Sequence, residues 1–185
     1  GELIAAMKLA FLFFLFFSKH PFMPFSSLGF SPALRPSLLR AISEKGYATP
    51  TEIQSAAIPA ILAGRDIVGS AQTGSGKTAA FALPMLHHIA QTPTNSPRRI
   101  RGLVLVPTRE LAAQVGESIV SLAQYLPQRI KVALLFGGVS IHPQMMHLRG
   151  GPDIVVAPPD PPISLPQPNP SPPDPRPPPV LVEAG

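Results

Sequence analysis

Apolar positions along the middle of the chain recur with two periods, one helical and one extended. Residues 36–45 place Leu38, Leu39 and Ile42 on one side of a short amphipathic helix, with Gly46 as its stop. Thr51 is positioned to cap a second helix bearing Ile53, Ala57, Ile58 and Ile61, closed by Gly64, and Pro59 within it predicts a kink or an early break. A short apolar run at 66–70 reads as a strand, and 79–86 as a helix. Leu103-Val104-Leu105-Val106 is a second strand ended by Pro107, followed by a helix from Thr108 to about Tyr125 with Leu111, Val115, Ile119 and Leu122 on one face. Residues 130–136 and 153–157 read as further strands, with 143–149 helical between them. Strands alternating with helices predict a parallel α/β sheet covered on both faces, with ligands at the carboxyl ends of its strands.

Composition divides the 185 residues into three parts. Residues 1–22 are apolar and rich in Phe; the run from Leu9 to Phe17 is shorter than the roughly 20 residues a spanning helix needs. Lys8 could flank a signal core, but Ser18-Lys19-His20-Pro21 offers no small-residue cleavage site. This leader is read as a spurious extension or a signal-like segment, and no stable membrane insertion is expected. Residues 23–157 have globular character. In 158–185, 13 of 28 residues are proline, which predicts a disordered or polyproline-like tail without enough apolar content to offset its ordering entropy. From 20 to 157, twelve Lys or Arg face six Asp or Glu, a modest excess that suits a polyanion. Cysteine is absent, which excludes disulfides and thiolate metal sites and agrees with a cytoplasmic setting.

The densest chemistry lies in Ala71-Gln72-Thr73-Gly74-Ser75-Gly76-Lys77-Thr78, between the expected strand and helix. Gly74 and Gly76 permit backbone angles closed to other residues and leave room for a phosphate. Amides from Gly74 to Thr78 would point inward at a helix start, where the dipole favours an anion. Lys77 would supply charge to the β- and γ-phosphates, and the Thr78 hydroxyl would hold Mg²⁺. The general phosphate-loop pattern begins with Gly, and here that position is Ala71. His87, His88, His142 and His147 show no metal spacing and read as surface or packing residues.

Three segments taken together narrow the function. Gly46-Tyr47-Ala48-Thr49-Pro50-Thr51-Glu52-Ile53-Gln54, the phosphate loop, and Pro107-Thr108-Arg109-Glu110-Leu111-Ala112 resemble, in order and spacing, the adenine-reading, phosphate-binding and first RNA-contacting motifs of DEAD-box ATP-dependent RNA helicases. The flavour is closest to the RhlE type, and Ala71 is what that family normally shows. The resemblance covers about 23–157. It implies a RecA-like P-loop sheet, truncated before its later strands, with ATP and Mg²⁺ as cofactors and RNA as a partner held through its backbone. It also implies that Gln54 pairs with the adenine edge, which its amide donor and acceptor suit. Tyr47 belongs to the adenine-reading motif. Phe25, with Phe30 as the alternative, would stack on the base. Pro107, Thr108 and Arg109, together with Gly137 and Gly138, would follow RNA phosphates, contacts that position without reading sequence.

After Ala157 the family continues Thr-Pro-Gly-Arg, where this chain reads Pro158-Pro159-Asp160-Pro161, matching only at Pro159. The Asp-Glu-Ala-Asp box, with its magnesium-binding Asp and water-orienting Glu, is not found, so no catalytic residue is assigned. The expectation is therefore the nucleotide-binding front of an RNA helicase, inactive alone, its tail the product of a frameshift or an equivalent error. The alternative is a non-catalytic ATP- or RNA-binding module with a Pro-rich interaction tail.

Overall fold

The computed structural model describes residues 23–69, 71, 74, 76–92, 100–135, 151–158 and 180–183. A 3₁₀ turn at Phe25–Ser27 precedes α1 (Arg35–Glu44), α2 (Glu52–Leu62) and α3 (Lys77–Gln91). Then β1 (Gly102–Leu105), α4 (Arg109–Ala123), β2 (Val132–Leu134), β3 (Ile154–Ala157) and β4 (Val180–Glu183) follow. The four strands form one parallel sheet in the order β2-β3-β1-β4, the fold class expected of the alternating pattern.

Local chemistry accounts for the helices. Thr51 and Gln54 form a reciprocal capping box on α2: the Gln54 amide N–H donates to Thr51 Oγ1 at 3.4 Å, and Thr51 N–H donates to Gln54 Oε1 at 3.0 Å. Thr108 caps α4 by accepting from Leu111 N–H at 3.1 Å. Glu52 and Glu110 sit in the first turns of these helices, where the dipole favours them. Pro59 does not break α2, which runs on to Leu62, so the early end expected there does not occur.

The large core joins α1, α3 and α4 to one face of the sheet through Leu38, Ile42, Leu83, Leu86, Ile119 and Val104, among others. Gly116 allows α4 to lie close on β2, since a Cβ there would stand 2.6 Å from a Leu134 methyl. The opposite face carries a smaller cluster of Ala133, Val155 and Ala157 with Leu103, Leu105 and Leu135, to which no described helix contributes. Cover on both faces is thus seen among the described residues only on the first. At the surface, α1 is pinned to the end of α4: the Tyr125 hydroxyl and the Gln124 amide both donate to Glu44, and the Arg40 guanidinium lies 3.9 Å over the Tyr125 ring.

Two segments depart from expectation. Residues 65–69 join no ladder, and Ile67 and Val68 are exposed, so the strand expected at 66–70 is not formed over the residues described there. An apolar run becomes a strand only where a neighbour completes its hydrogen bonds. In the tail, Val180–Glu183 is a strand rather than disordered, paired parallel with β1 so that Gly102 faces Val180 and Leu105 faces Glu183. It begins directly after Pro177-Pro178-Pro179, which have no N–H to donate to a ladder. The leader, the helix expected at 143–149 and most of the tail lie outside the described residues.

A buried charge fixes the amino ends of the strands. Asp153 is 1% exposed; Oδ1 accepts from Arg101 Nη2 at 2.7 Å and Oδ2 from Lys131 N–H at 2.9 Å. Arg101 Nη1 also donates to the carbonyls of Ile89 and Thr92, 2.8 and 3.0 Å away, at the carboxyl end of α3. Breaking a buried pair from one side leaves an uncompensated charge. Arg101→Ala is therefore expected to lower unfolding free energy by about 3–5 kcal/mol in urea titration, whereas an exposed-site control such as Arg40→Ala should cost under about 1 kcal/mol.

Candidate functional site

The start of α3 differs from the starts of α2 and α4. Its cap is Gly76, left-handed at φ 82°, with no side-chain cap and no acidic residue in the first turn. It opens instead on Lys77. A cation at the positive end of a helix dipole opposes helix stability, so this end favours an incoming anion. Gly74 is also left-handed, at φ 78°, and a Cβ on it would meet nothing within 4 Å. Gln72, Thr73 and Ser75 lie outside the described residues, while Ala71, Lys77 and Thr78 are half-buried.

Axial geometry sets where this end lies. The last turn of α3 is held at the amino end of β1 through Arg101. A 15-residue helix is about 22 Å long, whereas the four residues of β1 extend only about 13 Å. Lys77 therefore lies at the end of α3 remote from the one held by Arg101.

Gln54 joins α2 to this loop. It is 1% exposed, and its Nε2 donates to the Gly76 carbonyl at 3.1 Å while Oε1 accepts from Thr51 N–H. Both functions of the amide are thus engaged within the protein. The fit is close: a Cβ on Gly76 would stand 2.2 Å from Gln54 Nε2.

Phe25 and Tyr47 come together on a cavity of about 470 Å³, lined also by Pro24, Leu39, Ile42 and Gly46. Phe30, the alternative stacking residue, is not on that wall; its ring packs 6.0 Å from the buried His87 ring. At the end of β1, Val106 N–H donates to the Ala157 carbonyl, and Pro107, Thr108 and Arg109 follow as an exposed group. The Thr108 hydroxyl serves as the α4 cap. Gly137 and Gly138 lie outside the described residues.

Two features escaped the sequence reading. His87 accepts a hydrogen bond from Ser31 N–H, 56 positions away, with no local signal. Glu183 ends β4 beside β1, and residues 182–185 read Val-Glu-Ala-Gly, which keeps the Glu-Ala of the acidic box and replaces both aspartates. The short apolar run followed by Glu-Ala was legible, but the surrounding prolines masked it.

The profile of the DEAD/DEAH box helicases matches residues 51–165, more than half of the chain. The chain belongs to that family. The match runs eight residues past Ala157, so the family likeness extends further into the Pro-rich segment than the motifs alone indicate. The chain is 55% identical over 122 residues to DEAD-box ATP-dependent RNA helicase 28 of Oryza sativa, covering 66% of this chain and 15% of that protein. It is 51% identical over 126 residues to ATP-dependent RNA helicase DeaD of Mycobacterium tuberculosis, covering 68% and 22%. It therefore spans about a fifth or less of these relatives. Among solved structures, the RNA helicase Prp28 of Chaetomium thermophilum bound to ADP aligns at a TM-score of 0.63 and 38% identity, over 75% of this chain and 32% of that one. A DEAD box protein of Methanococcus jannaschii aligns at 0.60 and 40%, over 73% and 34%. These likenesses agree with a RecA-like fold for the parallel sheet.

The Gln54–Gly76 contact can be isolated in a double-mutant cycle. Gly76→Ala should destabilise the protein through a left-handed alanine, about 1–2 kcal/mol, plus the clash with Gln54. In a Gln54→Ala background the clash is gone, so Gly76→Ala should cost measurably less in the same urea titration. Equal costs in both backgrounds would refute the contact.

Proposed function

We propose that the chain binds Mg²⁺-ATP at the phosphate loop and RNA along the adjoining rim, as the nucleotide-binding part of an ATP-dependent RNA helicase. The observation that carries this reading is the start of α3: two left-handed glycines, no acidic residue, and Lys77 at the positive end of the dipole. The surroundings suit a triphosphate, because the helix amino terminus opens on Lys77 and Gly74 leaves open space. Amides from Gly74 to Thr78 and the Lys77 ammonium would hold phosphate oxygens, with Ala71, Gln72, Thr73 and Ser75 completing the loop. Thr78 would hold Mg²⁺, which would neutralise charge between the phosphates. Phe25 and Tyr47 would receive the base, and Gln54 would exchange its bonds to Gly76 and Thr51 for the adenine edge. Pro107, Thr108 and Arg109, with Gly137 and Gly138, would follow the RNA backbone.

Hydrolysis needs charge neutralisation and a positioned water. Residues 182–185 supply one carboxylate, Glu183, and an apolar Val182 beside it. Binding without efficient turnover follows. The relatives' names, which describe ATP-dependent RNA helicases, support the same direction. A non-catalytic ATP- or RNA-binding module with a Pro-rich tail remains the second reading, favoured by the 13 prolines of 158–185.

Calorimetry with a non-hydrolysable ATP analogue tests the proposal. Lys77→Ala should weaken binding by about 1.5–3 kcal/mol, the value of a charged hydrogen bond. Gln54→Ala should weaken ATP more than GTP by about 1–3 kcal/mol, and equal affinity of the unmutated chain for both nucleotides would refute the adenine assignment. RNA-stimulated hydrolysis should be undetectable in the unmutated chain. Brisk RNA-stimulated hydrolysis there, lost in Lys77→Ala, would overturn the account of the acidic box.

A further inference from the structure

The segment carrying Phe25 and Phe30 packs into the core through Phe25, Leu28, Phe30 and Leu34, and one histidine of α3 adds a polar tie to it. Ser31 N–H donates to His87 Nε2 at 2.9 Å, and His87 is 5% exposed. The Phe30 ring packs on the imidazole, and the Phe30 carbonyl accepts from Arg35 Nη2 at 3.0 Å. An imidazole that accepts at Nε2 is neutral and carries its proton on Nδ1. Protonation would place a second N–H at Nε2, facing the Ser31 N–H donor. The bond would then become a contact between two donors.

The charges around His87 offer a proton no compensation. His88 is its neighbour on α3, with the rings 5.8 Å apart. Arg35, at the start of α1, adds a cation beside Phe30, and Arg101 near the end of α3 is committed to Asp153. The remaining ionisable groups on the packed helices are Arg40 and Glu44 of α1, Glu52 of α2, and Arg109, Glu110 and Glu117 of α4. Arg40 and Glu44 pair with each other, and the other four lie at exposed positions. No carboxylate among the described residues pairs with His87.

We propose that His87 is a positioning residue whose neutral ring helps dock the aromatic segment 25–34 on α3, steadying Phe25 in the wall of the cavity it shares with Tyr47, and whose protonation weakens that docking. The link to nucleotide affinity rests on the function proposed above; the docking of the segment does not. Burial, then the neighbouring His88, lowers the His87 pKa below its ordinary 6.5. The unfolded chain therefore takes the proton first. The docking contribution is complete above about pH 6.5 and declines as pH falls through that value toward the lowered folded one. The weakening belongs to mild acid.

The test compares the full chain with His87→Gln, whose side-chain oxygen can accept from Ser31 without titrating, and with His87→Leu, which cannot accept. NMR amide exchange, corrected for intrinsic pH dependence, reads Ser31 protection at about pH 7.5 and about pH 5.5. In the unmutated chain, protection should fall between these values, by up to about tenfold. His87→Gln should keep it at both, and His87→Leu should lack it at both. The same pH response in the unmutated chain and His87→Gln would overturn the proposal, and that pair decides even if His87→Leu does not fold. Affinity for the ATP analogue should drop in acid for the unmutated chain and hold in His87→Gln. If protection falls while affinity ignores pH, the link to the cavity is overturned. Absence of nucleotide binding at every pH would count against the proposed function alone, because the Ser31 readout needs no nucleotide.

Discussion

The Asp153 carboxylate is the constraint on which the arrangement depends. Burying a charge is expensive unless it is paired and hydrogen-bonded, and this one is both, through Arg101 and the Lys131 amide. Its backbone joins in: Asp153 N–H donates to the Lys131 carbonyl, and its own carbonyl accepts from the Arg101 and Gly102 amides. One residue thereby brings the amino ends of β1, β2 and β3 into register. Because Arg101 also holds the last carbonyls of α3, the helix is fixed along its axis relative to β1. The candidate phosphate site lies at the other end of the helix that this charge anchors.

Helix α3 then acts as the spine of the molecule, with a different chemistry at each station. At its carboxyl end a guanidinium meets the negative end of the dipole, a favourable pairing. Midway, the neutral His87 receives the aromatic segment. At its amino end the helix opens on Lys77, with neither a capping side chain nor an acid in the first turn. A helix built for stability alone would carry a capping side chain and an acid there, as α2 and α4 do.

What the sequence revealed was local. The Thr51 and Thr108 caps are short-range chemistry and could be read directly, and β1 and β3 fall within a residue of their expected limits. The phosphate loop and its flanking motifs were legible as a family pattern, which the family match supports. What escaped was long-range. Arg101 and Asp153 are 52 positions apart, and Gln54 meets Gly76 over 22, with no periodicity to announce either contact. The strand expected at 66–70 failed for a related reason: propensity proposes a strand, but a neighbouring strand must complete it. The strand at Val180–Glu183 was missed in the opposite direction, since β1 offers a ladder that the composition of the tail gave no reason to expect.

Gln54 shows that a residue proposed to recognise a base need not look free. As an isolated helical glutamine it would be a poor candidate for selecting a base. Here its oxygen caps α2 and its nitrogen holds the loop carbonyl at Gly76, so the side chain is pre-positioned and loses little further rotamer freedom on meeting a ligand. A ligand that takes both the donor and the acceptor of this amide takes them from Thr51 and Gly76 together. Gly76 is also the cap of α3, so its release would alter the backbone that presents the first helical amides. In the proposed role, one side chain would thereby join occupancy of the adenine edge to the shape of the phosphate cradle. The steric fit at Gly76, where even a methyl group would collide with Gln54, leaves little room for either to change alone.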